Sequence, residues 1–399
     1  MLKLAFFLPN ASGYQDRIEM LKKLSYGDID VTLIVGSLDT DIPSAEYGNF
    51  RVFSVGFVPG NRIMNLLKSY WTLRRLHKIH EFDLIHDTFG NFLIYFLTTF
   101  RKSCRPIYVC SFYALEKWRV ENIWKPSGHN RFALLFRKST LRTFIGEFIQ
   151  SAMSKICDHI VLQAPGLVER LLLYENVSPS KVDVLRNCVD VNYWKKIHDS
   201  DESLSHRNAS LRILYIPQRS MDGLDSTLEI KGVLASVKRL EGLGIDVHLT
   251  VVVKSASDQV TEISSLSREV ALCIDKIVLK YGLTRDQMRE TYNSNDLMIY
   301  QTINDGSPRV VIEALACGLP VLCNPHPGIR VLDENDRYIQ FAEYGNMDSI
   351  TARLQKMNDR EFLSNIAQKG RCNIEANFSN EFAANEHEDF YKRVTSLDY

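Results

Sequence analysis

Residues 296–330 read DLMIYQTINDGSPRVVIEALACGLPVLCNPHPGIR. The apolar run Leu297–Tyr300 stops at Gln301, and a mostly polar loop follows as far as Ser307. A short unbroken apolar run marks a strand buried on both faces. Ser307 suits a helix N-cap and Pro308 the first helical position, so a helix is predicted to open there. Gly318 suits the position after its end, and Leu319-Pro320 leads into a second strand, Val321–Cys323. Gly306 lets a ligand approach the backbone. The amides of Arg309 and Val310, with the helix dipole behind them, form an anion site suited to phosphate. Two carboxylates bracket the turn: Asp305 before the helix, and Glu313, the one acid within it. A carboxylate beside a buried face needs donors, which ribose hydroxyls would supply. A structural pairing of Glu313 with Arg309 one turn back is the open alternative.

The same alternation extends in both directions. Strands are predicted at Leu4–Leu8, Val31–Val35, Arg51–Val55, Asp83–Ile85, Ile107–Val109, His159–Leu162 and Val182–Leu185. A second series comprises Ile213–Ile216, Val247–Val253, Ile277–Leu279, Leu297–Tyr300 and Val321–Cys323. Strands separated by helix-period segments imply parallel βαβ units and doubly wound sheets, an α/β class. Between the series lies KKIHDSDESLSHRNAS, residues 195–210, with a single isoleucine as its large aliphatic residue. The expected domains are therefore 1–194 and 211–376, joined by this linker, with a C-terminal helix in 377–399 for which a return to the N-terminal domain is one expected packing. In such sheets ligands sit beyond the carboxyl ends of the strands, so two facing sheets would enclose a cleft.

A chain of 399 residues exceeds one ordinary core. Its 45% hydrophobic and 24% charged content is that of a globular protein. With 48 basic and 48 acidic residues, overall charge gives no reason to expect nucleic acid as a partner. The balance is uneven, however: residues 1–190 carry 24 Lys+Arg against 18 Asp+Glu. The eight cysteines contain no Cys-x-x-Cys pair and sit mostly in apolar runs, as reduced thiols in a cytoplasmic protein do. The start, MLKLAFFLPN, reads as a first strand rather than a leader. The most apolar stretch elsewhere, Phe89–Phe100, has 12 residues against the ~20 of a spanning helix.

The 305–321 segment resembles the signature of retaining glycosyltransferases of the GT-B fold, family four: Glu-Gly, six residues, then Glu-Ala-x-Ala-x-Gly-x-Pro-Val. Asp305 stands at the first Glu, and Gly306, Glu313, Ala314, Ala316, Gly318, Pro320 and Val321 match in register. FDLIHD (82–87), CDHIVLQAPGLVERLL (157–172), KVDVLRNCVDVNYW (181–194) and YGLTRDQMRETYNSNDLMIY (281–300) resemble further family segments. The resemblance implies two Rossmann-like domains facing across a cleft, an N-terminal one for the acceptor and a C-terminal one for a nucleotide sugar. It implies that Asp305 lies against the donor sugar, Glu313 binds the ribose, and Gly306, Ser307, Pro308 and Arg309 hold the donor at the helix start. Gly282 and Leu283 fall in the loop that contacts the base. Gly13, in the loop after the first strand, approaches the donor phosphates. Arg219 and Lys231 correspond to the family's diphosphate-neutralising cations, with Lys231 opening a helix Gly232–Leu240. The imidazole often found after the strand Pro106–Cys110 is absent from PIYVCSFYA, leaving His86 and His129 as substitutes.

The implied activity is that of a hexosyltransferase using a UDP- or GDP-linked sugar, with a glycan or lipid-linked acceptor, no metal and no cofactor. A nucleotide-sugar hydrolase or epimerase on the same fold, and a non-catalytic subunit, are the alternatives. Two basic, aromatic stretches suit an anionic membrane surface: 61–81, with Arg62, Lys68, Arg74, Arg75 and Lys78 among Tyr70 and Trp71, and 131–155, with Arg131, Arg137, Lys138 and Arg142 among Phe132, Phe136, Phe144 and Phe148. Helices facing the core with solvated basic residues read the same way. In 61–81 the core face is expected to carry Ile63, Leu66, Leu67, Tyr70 and Leu73. The expected location is the cytoplasm, with peripheral attachment at the inner face of the membrane where those helices meet it.

Overall fold

The computed structural model describes residues 1–38, 49–88, 92–99, 105–112, 138–197, 210–217, 226–253, 277–303 and 305–396. They form two compact units, Met1–Asp190 with Phe378–Tyr399, and Val191–Asn377. Each is a parallel α/β sheet built as the unbroken apolar runs require.

In the first unit the strands are β1 (Leu2–Asn10), β2 (Ile29–Ser37), β3 (Phe50–Ser54), β4 (Leu84–Asp87), β5 (Ile107–Phe112), β6 (His159–Leu162) and β7 (Val182–Val184). They lie in the order β3-β2-β1-β4-β5-β6-β7, so the winding reverses between β1 and β4. Phe6 of β1 registers with Leu33 of β2 on one side and His86 of β4 on the other. The helix Gln15–Leu24 covers one face, and the C-terminal helix Asn380–Ser396 packs beside it. Leu4, Phe6, Leu8, Ile18, Leu21, Ala383, Phe390 and Val394 share that core.

The C-terminal segment enters by a parallel bridge between Val189 and Ser379, with Val189 N–H donating to Phe378 O at 3.0 Å. Its docking is then polar. Arg17, nearly buried, donates to His387 Nε2 at 3.0 Å and to Asn187 Oδ1 at 3.2 Å. His387 Nδ1 lies 2.7 Å from the Ala383 carbonyl. A carbonyl only accepts, so Nδ1 carries the proton and Nε2 takes the guanidinium. Burial first, and then the Arg17 charge, push the His387 pKa down to about 3.

His86 is not in a position to meet a substrate. It is 1% exposed, with Nδ1 hydrogen-bonded to Tyr391 Oη at 2.7 Å and Nε2 to Ser111 Oγ at 2.6 Å. Burial, followed by the charges of His387 and Arg17, holds it well below the usual histidine range. Both ring nitrogens are committed to the core, which removes it from the candidate catalytic set. The other substitute considered, His129, lies outside the described residues.

The helix Arg62–His80 forms as expected, with the Asn61 side chain accepting from Met64 N–H. Its inner face carries Leu66, Tyr70 and Leu73 as expected, with Ser69 and Leu76 also buried, whereas Ile63 and Leu67 of the expected face are exposed. The covering contacts, Tyr70 and His77 against Tyr95, begin only midway along it. Of the second basic stretch, 131–137 lies outside the described residues, and a helix runs from Lys138 to Ile156.

The second unit contains β8 (Leu211–Tyr215), β9 (Val247–Val253), β10 (Ile277–Tyr281), β11 (Leu297–Tyr300), β12 (Val321–Cys323) and β13 (Gln340–Phe341), in the order β10-β9-β8-β11-β12-β13. The two-residue β13 was too short to stand out in the sequence. The unit also takes in Val191–Ile197, which the sequence assigned to the first domain and the linker. The reason is packing: Trp194 is buried against Tyr292, ring centroids 5.7 Å apart, and Arg371 donates to the Trp194 and Val191 carbonyls. Residues 198–209 of the expected linker lie outside the described residues.

A stability prediction follows from the two buried imidazoles. Both are neutral in the folded chain, while unfolding returns them to a pKa of about 6.5. Below that pH the unfolded state binds more protons, so stability is complete above it and is lost as the pH falls toward 3. The loss is expected to reach about 1.4 kcal/mol per pH unit for each histidine. Urea unfolding between about pH 7 and pH 5 measures this slope, and His387→Gln is expected to flatten it.

Candidate donor-binding turn

The winding of the second sheet reverses between β8 and β11. Loops that leave the carboxyl ends of these two strands border the switch point, where ligands of such sheets bind. After β8, residues 218–225, which include Arg219, lie outside the described residues. The loop after β11 is the 301–308 turn.

Asp305 organises this turn. Its Oδ1 accepts from Ser307 N–H at 3.1 Å, a side-chain turn of the type Asp favours. Its Oδ2 accepts from the Tyr300 hydroxyl at 2.9 Å. Tyr300 is the last residue of β11, and burial together with the neighbouring Asp305 charge drives its phenol well above the usual range. The hydroxyl therefore stays protonated and donating.

The helix runs from Arg309 to Ala316, one residue later than expected. Pro308, not Ser307, is the N-cap, because its extended ψ of 109° lets its carbonyl receive the first helical amides, Val311 at 3.1 Å and Ile312 at 3.3 Å. Ser307 lies one residue before the cap, with its backbone N–H held by Asp305 Oδ1. The Arg309 and Val310 amides stand ahead of the helical ladder, at the positive end of the dipole. The helix closes at Gly318, with φ +73°. Gly318 N–H donates to Leu315 O and Leu319 N–H to Ala314 O, each at 2.9 Å, which is the paired ending glycine permits.

Glu313 lies half-buried on this helix. Its Oε2 accepts from the Tyr292 hydroxyl at 3.0 Å, and Tyr292 is itself buried at the end of the helix Arg285–Asn293. Burial, then the Glu313 charge, push the Tyr292 phenol well up. Tyr292 and Tyr300 were both missed in the sequence, where each reads as core. The available signal was position: Tyr300 ends the strand that carries the turn.

Asp305, Gly306, Ser307, Pro308, Arg309 and Glu313 are thus brought together on one strand–turn–helix. Gly282, with φ +54°, and Leu283 stand beyond the end of β10 in the same sheet, where Gly282 N–H donates to Val253 O at 3.1 Å. Lys231 does not open its helix, which runs Ser226–Gly242; the lysine is exposed in the second turn. Gly13 belongs to the first unit, in a 3-10 turn where its N–H donates to Asn10 Oδ1 at 3.1 Å.

Two family models match the chain: glycosyltransferase family 4 over residues 18–193 and glycosyl transferases group 1 over residues 220–372. The chain belongs to the GT-B glycosyltransferases of family 4. Solved structures agree across nearly the whole fold. Sucrose-phosphate synthase from Thermosynechococcus elongatus gives a TM-score of 0.76 at 13% identity, with 100% of both chains covered. Anabaena Alr3699/HepE in complex with UDP and glucose gives 0.71 at 14% identity, covering 98% of this glycosyltransferase and all of that chain. WaaG, a glycosyltransferase involved in lipopolysaccharide biosynthesis, gives 0.68 at 14%. Among curated proteins, the Campylobacter jejuni N-acetylgalactosamine-N,N'-diacetylbacillosaminyl-diphospho-undecaprenol 4-alpha-N-acetylgalactosaminyltransferase is 22% identical over 233 residues. That match spans 58% of this chain and 59% of the relative's length.

The tyrosine–carboxylate pairs of this glycosyltransferase can be tested separately from any substrate. Tyr292→Phe leaves a half-buried carboxylate one donor short, and is expected to destabilise the protein by about 1–3 kcal/mol in urea unfolding. A change near zero would show that the hydroxyl does not hold Glu313.

Proposed function

We propose that the protein transfers a hexosyl group from a UDP- or GDP-linked sugar to a glycan or lipid-linked acceptor, with retention at the anomeric carbon. The observation that carries this reading is the spacing of two oriented carboxylates about a helix start at the switch point of the second sheet. Asp305 is turned by Tyr300 and Ser307, and Glu313 by Tyr292. A diphosphate at the Arg309–Val310 amides would have one acid on the side of the sugar and the other on the side of the ribose.

In this reading the enzyme needs no nucleophile of its own. The acceptor hydroxyl attacks from the face the diphosphate leaves, and a phosphate oxygen takes its proton. The protein positions the donor and stabilises the charge that grows on the leaving group. The helix dipole supplies part of that stabilisation, and Arg219 and Lys231 are assigned the rest. UDP and glucose in the Anabaena structure support the donor class, and the diphospho-undecaprenol in the name of the Campylobacter relative supports a lipid-linked acceptor.

Calorimetry with UDP and GDP, and turnover with and without acceptor, test the proposal. Glu313→Ala is expected to weaken nucleotide binding by about 1–3 kcal/mol, and Asp305→Asn to lower turnover more than nucleotide affinity. Donor consumption that is independent of acceptor would make the protein a hydrolase, and silence with every nucleotide would make it a non-catalytic subunit.

A lipid-linked acceptor places the first unit at a membrane. Among the described residues no helix is long and apolar enough to cross one. The helix Arg62–His80, however, exposes Ile63, Met64, Leu67 and Trp71, with Arg74 over the Trp71 ring at 5.6 Å and Arg75 and Lys78 beyond. An apolar patch edged by cations fits anionic lipid at the interface. Co-flotation with phosphatidylglycerol vesicles at low salt is expected, with a large loss for Trp71→Ala; no association at low salt would reject this contact.

A further inference from the structure

We propose that Asn324 and Gly328, in the segment after β12, are positioning residues that fix the Asp305 carboxylate by holding the main chain of its turn at both ends. The inference rests on the reading of Asp305 as the acid that meets the donor sugar.

The β11–β12 ladder ends at Tyr300 and Cys323. One residue past that end the Asn324 side chain takes over. Its Oδ1 accepts from Thr302 N–H at 2.8 Å, and its Nδ2 donates to Thr302 O at 2.8 Å. Both residues are buried. A carboxamide is the side chain that reproduces a peptide group, offering an acceptor and a donor in one plane. It extends the pairing of β11 with β12 into the loop, and satisfies both polar groups of a residue cut off from water.

The other end of the turn is set by contact. A Cβ on Gly328 would fall 2.0 Å from the Asp305 carbonyl oxygen and 2.7 Å from Gly306 C and O. These are main-chain atoms, which no rotamer change moves aside. Gly328 is itself fixed, because its N–H donates to His326 Nδ1 at 3.1 Å. The Asp305 backbone is thus seated on a glycine, and the chain three residues earlier is hydrogen-bonded to an asparagine. Tyr300 then turns the carboxylate from a third direction. A displacement of about 1 Å at a group that positions substrate can cost on the order of 100-fold in rate, so these contacts set turnover without touching substrate.

The test uses Asn324→Asp, which keeps the acceptor for Thr302 N–H and loses the donor, together with Gly328→Ala. For each, donor turnover, UDP and GDP affinity, melting temperature and amide hydrogen exchange across 305–307 are measured. Expected are turnover lower by on the order of 10- to 100-fold, nucleotide affinity as in the parent protein, and faster exchange at Ser307, whose N–H depends on Asp305. In an Asp305→Asn background the same changes are expected to cost far less, since they act through that carboxylate. Parent-like turnover and exchange in a folded variant, or full additivity with Asp305→Asn, would overturn the inference. Failure of both variants to fold would assign the two residues to stability instead. If the parent protein transfers no sugar from any donor, the proposed activity falls, and the exchange at Ser307 still decides whether these residues hold the turn.

Discussion

A carboxylate withdrawn from water must find donors, and that requirement shapes the second unit. Tyrosine supplies them repeatedly. Tyr300 donates to Asp305, Tyr292 to Glu313 and Tyr215 to the fully buried Glu229. A phenol whose pKa is driven up by burial donates one bond along a rigid ring and leaves the charge in place. Asp296, at the foot of β11, is treated differently: Arg212 grips it in two places, and Arg360 lies 3.2 Å away. There the acid is neutralised and the strand end is locked. Near the turn, each acid is instead oriented by a tyrosine hydroxyl that donates to one of its oxygens.

The first unit meets the same problem with cations and neutral imidazoles. Arg17 has its charge carried by the accepting nitrogen of His387 and the oxygen of Asn187, so a buried guanidinium joins the helix after β1 to the last helix of the chain. That arrangement works only while His387 is neutral. It explains why two histidines at the heart of this unit serve cohesion, and why one of them, at the end of β4, looked locally like a catalytic base.

What could be read in the sequence follows from the range of the interactions. Short apolar runs gave all but the shortest of the described strands; in the central ones, such as β1, β4 and β11, burial on both faces leaves no room for alternation. The turn at 305–308 and the glycine ending at Gly318 were legible, being determined by neighbours within a few residues. His86 was misjudged because its partner Tyr391 stands 305 residues away. On the helix Arg62–His80 only Ile63 and Leu67 of the expected core face were misjudged, because the aromatic contacts that cover that face begin at Tyr70. Trp194 was assigned to the wrong unit because Tyr292, its cover, is a distant residue. Local rules place elements; which face is buried depends on what the rest of the chain brings against it.

The glycines show how main-chain contact ties the switch point together. A Cβ on Gly232 would meet the Gly345 carbonyl oxygen at 2.3 Å, so the helix carrying Lys231 rests directly on the loop after β13. Gly345 N–H in turn donates to Gln301 Oε1 at 2.8 Å, and Gln301 Nε2 donates to Glu343 O at 3.3 Å. Gln301 is the first residue of the 301–308 turn, which is seated at its other end on Gly328. The helix of the expected diphosphate cation and the turn of the expected sugar acid are therefore joined by backbone-to-backbone contacts and carboxamide bonds. Such contacts cannot be relieved by side-chain rotation, so they hold spacing while exposed positions around the turn change. A frame fixed in this way is consistent with a shared fold at 13–14% identity, and it leaves the choice of sugar to side chains that the frame does not constrain.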